Sequence, residues 1–227
     1  MVAARLPADP GDRYQAPSAG QLDEWSDTAA RIDRLNRSDP HQAFETASQW
    51  VVREQARGSA EGTARALRSQ AHTLNYLRRY DEAIAQYEDV EARFAVLGLP
   101  DEAARTQIGH VTSLRYKGRY PEAIDLAIRS HAYFVEIGDD FSAAKQSLNL
   151  GTLYRPVGRL RDAVRAYQSA LTVLHLALGI VDDIVLAPYV VDGDVVDVAP
   201  ARLGAVLRDD GLPASVWVGE WSAGDGD

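Results

Sequence analysis

A seven-residue motif occurs three times in this chain, at a fixed interval of 40 residues. Its copies read RRYDEAI at 78–84, GRYPEAI at 118–124 and GRLRDAV at 158–164. A second motif keeps the same interval and consists of a glycine, five variable residues, an alanine and a basic residue. Its copies begin at Gly58, Gly98 and Gly138. Two motifs in one register are typical of a repeat protein, whose units stack on their neighbours.

The apolar residues between 22 and 178 recur at i, i+3, i+4 and i+7, which is the period of an amphipathic helix. Glycines and an Asp-Pro pair separate the periodic stretches. We therefore expect helices at 22–35, 40–57, 62–76, 80–97, 101–116, 120–137, 141–155 and 160–178. They form four pairs, so the sequence predicts an all-α array with repeats near 22–57, 62–97, 101–137 and 141–178.

The repeated letters have mechanical explanations. A small alanine recurs early in the second helix of each pair, where a larger side chain would push the two helices apart. It is found at Ala83, Ala123 and Ala163, and Ala43 supplies it in a degenerate first unit. Gly118 precedes the aromatic residue of the motif and can adopt the left-handed conformation that ends the first helix.

The stretch 149–171 resembles the tetratricopeptide repeat (TPR) family. The matching residues are Leu150, Gly151, Tyr154, Gly158, Ala163, Tyr167 and Ala170. The usual TPR interval is 34 residues, and the interval of 40 is similar to a longer bacterial type. HEAT repeats have a similar interval but lack the Gly-x-Tyr-x-Glu-Ala turn. The resemblance implies a TPR-like helix-hairpin solenoid that acts as a non-catalytic protein–protein interaction scaffold or adaptor.

Both ends of the chain depart from the repeat. Residues 1–21 are rich in proline and glycine and are predicted to be a disordered arm. Residues 179–227 are predicted to be a small β-rich extension, with a hairpin through Asp192-Gly193, a short helix at 200–210 and a strand at 214–221. From Leu176 onward ten acidic residues face two basic ones, which accounts for most of the net charge of −9.

The composition excludes several kinds of chemistry. The chain has no cysteine, so it has no disulfide and no thiolate site, and a reducing compartment such as the cytoplasm fits. The first twenty residues lack the apolar core of a secretory signal, and no apolar run is long enough to cross a membrane. No phosphate-binding glycine loop, metal-ligand spacing or nucleophile–base pair is present. We therefore expect no enzymatic activity, no cofactor, no metal, no membrane partner and, given the acidic charge, no nucleic acid.

In such arrays the first helices line a concave groove, and the register places 18 residues there. They are Arg65, Arg68, Ser69, His72, Asn75 and Tyr76, then Arg105, Ile108, Gly109, Thr112, Arg115 and Tyr116, then Lys145, Leu148, Asn149, Thr152, Arg155 and Pro156. None of the 18 is acidic, which favours a groove for an acidic or carboxylate-bearing peptide or protein. The predicted partner-binding residues are Arg65, Arg68, His72, Tyr76, Arg105, Thr112, Arg115, Tyr116, Lys145, Asn149 and Arg155.

Two further interpretations stay open. The basic residues Arg65, Arg105 and Lys145 could instead pair with nearby acids and brace the repeat junctions. The chain could also be a regulatory or sensory subunit whose repeats bind a peptide or small signal. In that case the acidic tail would be its output, or an internal competitor for the groove.

Overall fold

The computed structural model describes Tyr14, residues 16–178 and two short segments, 188–191 and 194–197. The described residues form eight helices and two strands. They are α1 (Ala19–Ser38), α2 (Pro40–Ala56), α3 (Ala60–Tyr76), α4 (Tyr80–Val96), α5 (Pro100–Tyr116), α6 (Tyr120–Glu136), α7 (Asp140–Tyr154), α8 (Leu160–Leu178), β1 (Pro188–Val191) and β2 (Asp194–Asp197). None of the described helices is both long and apolar enough to cross a membrane.

The eight predicted helices are confirmed, with ends shifted by a few residues. The largest difference is at α1, which begins at Ala19 because Ser18 and Gln21 form a capping box. The Gln21 backbone N–H donates to the Ser18 hydroxyl at 3.3 Å, and the Ser18 N–H donates to the Gln21 side chain at 2.9 Å. The next helix starts at Pro40 directly after Asp39, whose carboxylate accepts the Gln42 N–H at 3.0 Å.

The helices pack as four helix hairpins in a TPR-like arrangement. Each helix contacts the next along the chain, and α1 also packs on α3, α3 on α5, and α5 on α7. We call α1, α3, α5 and α7 the inner helices, and α2, α4, α6 and α8 the outer helices. Because the inner helices stack on one another, their free side forms the inner face of the array.

Small and aromatic residues fill the places that the repeat predicts. Ala83, Ala123 and Ala163 are buried where each outer helix crosses its inner partner. Phe94 and Phe134, 40 residues apart, are completely buried near the ends of α4 and α6. The repeated letters are therefore mainly packing positions.

The turns that follow α3, α5 and α7 each close with an arginine–carboxylate contact, which we call the turn clasp. Arg79 Nε lies 2.7 Å from Glu82 Oε1, and Arg159 Nε lies 2.7 Å from Asp162 Oδ2. Arg119 and Glu122 form the same contact in the turn between α5 and α6. Gly118 has φ +72° and Gly158 has φ +76°, so the left-handed residue predicted at this turn is present.

The two ends of the chain are described only in part. Strands β1 and β2 pair antiparallel, with Val191 opposite Asp194. The helix predicted at 200–210, the strand predicted at 214–221 and residues 1–13 of the predicted arm lie outside the described residues. In the arm, Tyr14 donates a hydrogen bond of 2.6 Å to Glu61 at the start of α3.

Candidate functional site

The inner face carries the residues that the sequence predicted for partner binding. Residues from α3, α5 and α7 lie on it, and α1 contributes further polar groups. Asp33 on α1 is half-buried and acts electrostatically on His72, Tyr76 and Lys145. The sequence prediction missed Asp33 because the first repeat does not carry the two motifs that set the register.

An ion-pair network occupies the end of the inner face where α3 and α5 begin. Arg65 Nη2 lies 2.7 Å from Glu61 Oε1 and 2.9 Å from Glu102 Oε1. Arg68 Nη1 lies 2.6 Å from Glu102 Oε2. The Arg65 guanidinium also lies over the ring of Trp25, 5.6 Å from its centroid. These contacts join α1, α3 and α5, as the bracing interpretation predicted for Arg65.

Glu102 is held as a carboxylate by this network. Burial alone would raise the pKa of Glu102, but the positive charges of Arg68 and Arg65 outweigh it and leave the pKa below its usual value. Its side chain is 17% exposed, so water screens the interaction only weakly. Arg65 and Arg68 are therefore largely neutralised within the protein.

A second contact braces α5 on α7. Arg105 Nη2 lies 2.6 Å from Asp139 Oδ2, and Asp139 also accepts the Ser142 backbone N–H at 3.0 Å as the cap of α7. Burial raises the pKa of Asp139, but the bonds from Ser142 and the charge of Arg105 outweigh it and lower the pKa. Half of the Arg105 side chain remains exposed, so it can still contact a ligand.

Lys145 on α7 and His72 on α3 are half-buried residues of the inner face. Burial and the charge of Arg105 lower the pKa of Lys145 to about 8, and its Nζ lies 4.4 Å from the centroid of the Phe141 ring. Burial also lowers the pKa of His72, so this imidazole is neutral near neutral pH. His72 packs edge-to-face on Tyr76, with ring centroids 5.3 Å apart.

Arginine and tyrosine side chains cluster where α5 ends. Tyr116 is 47% exposed and stacks on Tyr80, with ring centroids 5.0 Å apart. The Arg115 guanidinium lies over the Tyr116 ring, 4.4 Å from its centroid. Burial raises the pKa of Tyr80, and the charges of Arg78 and Arg115 partly offset this.

Arg155, directly after the last residue of α7, continues this cluster into the next repeat. Burial raises the pKa of Tyr167, and the charge and hydrogen bond of Arg155, together with the charge of Arg115, act in the opposite direction. Among the residues whose side chains are described, neither Arg115 nor Arg155 has a carboxylate partner. Of the predicted site arginines, these two have a charge that no described side chain neutralises.

Two of the 18 predicted groove positions are wrong. Leu148 is buried in the hydrophobic core that α4 to α8 form together. Gly109 lies against α4, because a Cβ atom there would be 2.3 Å from the Tyr87 hydroxyl oxygen. Tyr87 therefore reaches between α3 and α5 and fills the space that a side chain at 109 would need.

The remaining predicted polar residues make short contacts within their own helices. Thr112 Oγ1 donates to the Ile108 carbonyl at 3.2 Å, and Asn149 Nδ2 donates to Gln146 Oε1 at 2.9 Å. Both residues are half-buried on the inner face. Within the described part of the chain, no group of three or more histidine, aspartate or glutamate side chains could hold a metal ion.

Comparisons with known proteins give a likeness of fold. No family model matches the chain, and no curated protein matches it. The crystal structure of BtubC (BKLC) from P. vanneervenii is 18% identical, with a TM-score of 0.50, and the match covers 88% of this chain and 87% of that one. A putative kinesin light chain of Podosopora anserina, described as nearly identical TPR-like repeats, is 14% identical with a TM-score of 0.33, covering 71% and 99%.

Proposed function

We propose that this chain is a non-catalytic interaction scaffold that binds an acidic or carboxylate-bearing segment of a partner protein on its inner face. The observation that carries the proposal is the pair Arg115 and Arg155. They lie at equivalent positions of neighbouring repeats, Arg115 near the end of α5 and Arg155 directly after α7. Arg115 lies over the Tyr116 ring, Arg155 bonds to Tyr167, and neither has a carboxylate partner among the described side chains. A guanidinium can bind a carboxylate through two parallel hydrogen bonds.

The surroundings of the two arginines favour protein binding. Arginine and tyrosine are the residue types that most often contribute the main binding energy at protein interfaces. Tyr116 offers an exposed ring whose orientation is fixed by its stacking on Tyr80. A partner that covers this ring would also shield the charge of Arg115 from water and strengthen its contact with a carboxylate.

The other predicted site residues have different roles in this proposal. Arg65 and Arg68 are engaged with Glu102 and act mainly as braces. Six residues lie beside or along the path of the bound segment and complete the proposed site. They are His72, Tyr76, Arg105, Thr112, Lys145 and Asn149.

Replacing both Arg115 and Arg155 with glutamate is expected to weaken binding of an acidic peptide more than tenfold. Each of the two substitutions turns an attraction between the protein and the peptide into a repulsion. The probe is a fluorescein-labelled peptide of alternating aspartate and glycine, and the measurement is fluorescence anisotropy at low salt. Circular dichroism should show unchanged helix content, since neither arginine braces the fold in an ion pair of the described residues.

A matched control changes the same charge on the outer helices. Arg129 on α6 and Arg165 on α8 are exposed, and converting both to glutamate lowers the net charge equally. This control should bind the probe nearly as well as the unaltered protein. Equal losses in both double variants would mean that overall charge, and not the inner face, determines binding.

The charge distribution favours a second candidate, in which the acidic tail competes for the same arginines. The sequence from Leu176 onward carries ten acids and two bases. Removing residues 180–227 is then expected to raise the affinity for the acidic probe and to make it more sensitive to salt, because an internal competitor is lost. Anisotropy titrations at two salt concentrations measure this, and an unchanged affinity would exclude the competitor.

A further inference from the structure

Arg78 adopts a backbone conformation that glycine occupies elsewhere in the array. Its φ is +58°, and it is the one non-glycine residue with positive φ in the described part of the chain. The same position of the next two repeats holds Gly118 and Gly158. A residue with a Cβ atom is less stable than glycine in this left-handed region.

The fold itself does not explain why arginine stands there. The turn around Arg78 makes the same backbone bonds as the turn around Gly118: the Arg78 N–H donates to the Asn75 carbonyl at 3.0 Å, and the Gly118 N–H donates to the Arg115 carbonyl at 3.0 Å. The Arg78 side chain is exposed, and among the described side chains it has no carboxylate partner. The turn forms equally well with glycine, so the strained backbone of Arg78 indicates that its side chain has a function.

Arg78 lies next to the arginine–tyrosine cluster at the end of α5. The charges of Arg78 and Arg115 both act on the hydroxyl of Tyr80, which stacks on Tyr116. Arg115 and Arg155 occupy equivalent positions of neighbouring repeats whose inner helices α5 and α7 pack on each other, and the charges of both act on the Tyr167 hydroxyl. Arg78 follows the end of α3 by two residues, Arg115 lies at the end of α5, and Arg155 follows α7 directly. The three arginines therefore form a row along the same end of three successive inner helices.

We propose that Arg78 is a third anion-binding residue of this row, and that the row takes an extended peptide with acidic side chains spaced about three residues apart. This inference rests on the proposed function and specifies its ligand. Stacked helices lie about 10 Å apart. An extended peptide in the polyproline II conformation advances about 3.1 Å per residue with three residues per turn, so every third side chain lies on the same face. Carboxylates three residues apart thus match the spacing of Arg115 and Arg155, and a further acid on the same peptide reaches Arg78.

Two substitutions at this position separate charge from strain. Arg78→Gly removes the guanidinium and relieves the backbone, whereas Arg78→Ala removes the guanidinium and keeps the Cβ atom. Arg78→Gly should therefore raise the midpoint of thermal unfolding, and Arg78→Ala should not. If the guanidinium binds a carboxylate, both variants should weaken peptide binding alike, by about fivefold to tenfold.

The probes are two fluorescein-labelled peptides of identical composition, one with an aspartate at every third position and one with its aspartates consecutive. The unaltered full-length chain should prefer the spaced peptide severalfold by anisotropy, and both Arg78 variants should lose that preference. Unchanged binding in both Arg78 variants, with a loss in the Arg115 and Arg155 double variant, would overturn the role of Arg78 and leave the proposed function standing. Unchanged binding in all three variants would overturn both, and equal affinity for the two peptides would overturn the spacing.

Discussion

Replacing Gly109 with asparagine is expected to lower the free energy of unfolding by roughly 2 to 3 kcal/mol. A Cβ atom at this position would lie 2.3 Å from the hydroxyl oxygen and 2.6 Å from Cζ of Tyr87. The Tyr87 ring is almost completely buried between helices and cannot move aside without opening the core. Urea unfolding followed by circular dichroism measures the loss.

A second substitution should recover part of this stability. In the next repeat the positions equivalent to Tyr87 and Gly109 hold Ala127 and Asn149, a small residue paired with a larger one. Tyr87→Ala alone should cost about 3 kcal/mol or more, because a large buried side chain is lost. Combined with Gly109→Asn it should cost clearly less than the sum of the two single changes. A strictly additive double variant would contradict the packing explanation.

Replacing Glu102 with alanine is expected to lower the free energy of unfolding by about 2 to 3 kcal/mol, because two partly buried arginines lose their shared carboxylate. Arg65 would keep Glu61, whereas Arg68 would keep no acidic partner among the described side chains. The matched control is Glu122→Ala, which removes an exposed carboxylate that pairs with Arg119 within one turn. Water screens such a pair, so the control should change stability little. Equal losses in the two variants would exclude the Glu102 network as a special source of stability.

The effect of Glu102 should depend on pH in a defined direction. The pKa of Glu102 is lower in the folded protein than the value of about 4.3 expected in the unfolded chain. The carboxylate therefore stabilises the fold above the unfolded pKa, and this stabilisation is lost as the pH falls through the folded pKa. The difference in the free energy of unfolding between the unaltered protein and Glu102→Ala should be largest near neutral pH and should shrink below about pH 4. Urea titrations across this range measure it.

Short-range patterns in the sequence were sufficient to predict where the helices lie. The 3.6-residue period places each helix, and the glycines and capping residues set its ends within a few positions, as Gly118 and Asp39 illustrate. The interval of 40 residues then predicts which helices pair, because equivalent positions must make equivalent contacts. This part of the fold depends on neighbours in the sequence or in the register, so the sequence alone predicts it.

The chemistry of the inner face was harder to predict. Arg65 is separated from Glu102 by 37 residues in the sequence, and only the stacking of α3 on α5 brings their charged ends within hydrogen-bonding distance. The predicted ladder of free positive charge is therefore partly neutralised. A signal did exist at Gly109, because a glycine inside a helix costs stability unless a neighbour needs the space. That neighbour, Tyr87, could be recognised only once the helices were packed.

The turn clasps have a consequence for how such a chain can change length. Each clasp joins an arginine to a carboxylate three residues later, so the turns after α3, α5 and α7 each carry both halves of their own closure. A duplicated or deleted block of 40 residues would bring or remove a complete turn and leave the neighbouring turns intact. The array can thus be lengthened or shortened in whole units, and the span of its inner face can be matched to partners of different length.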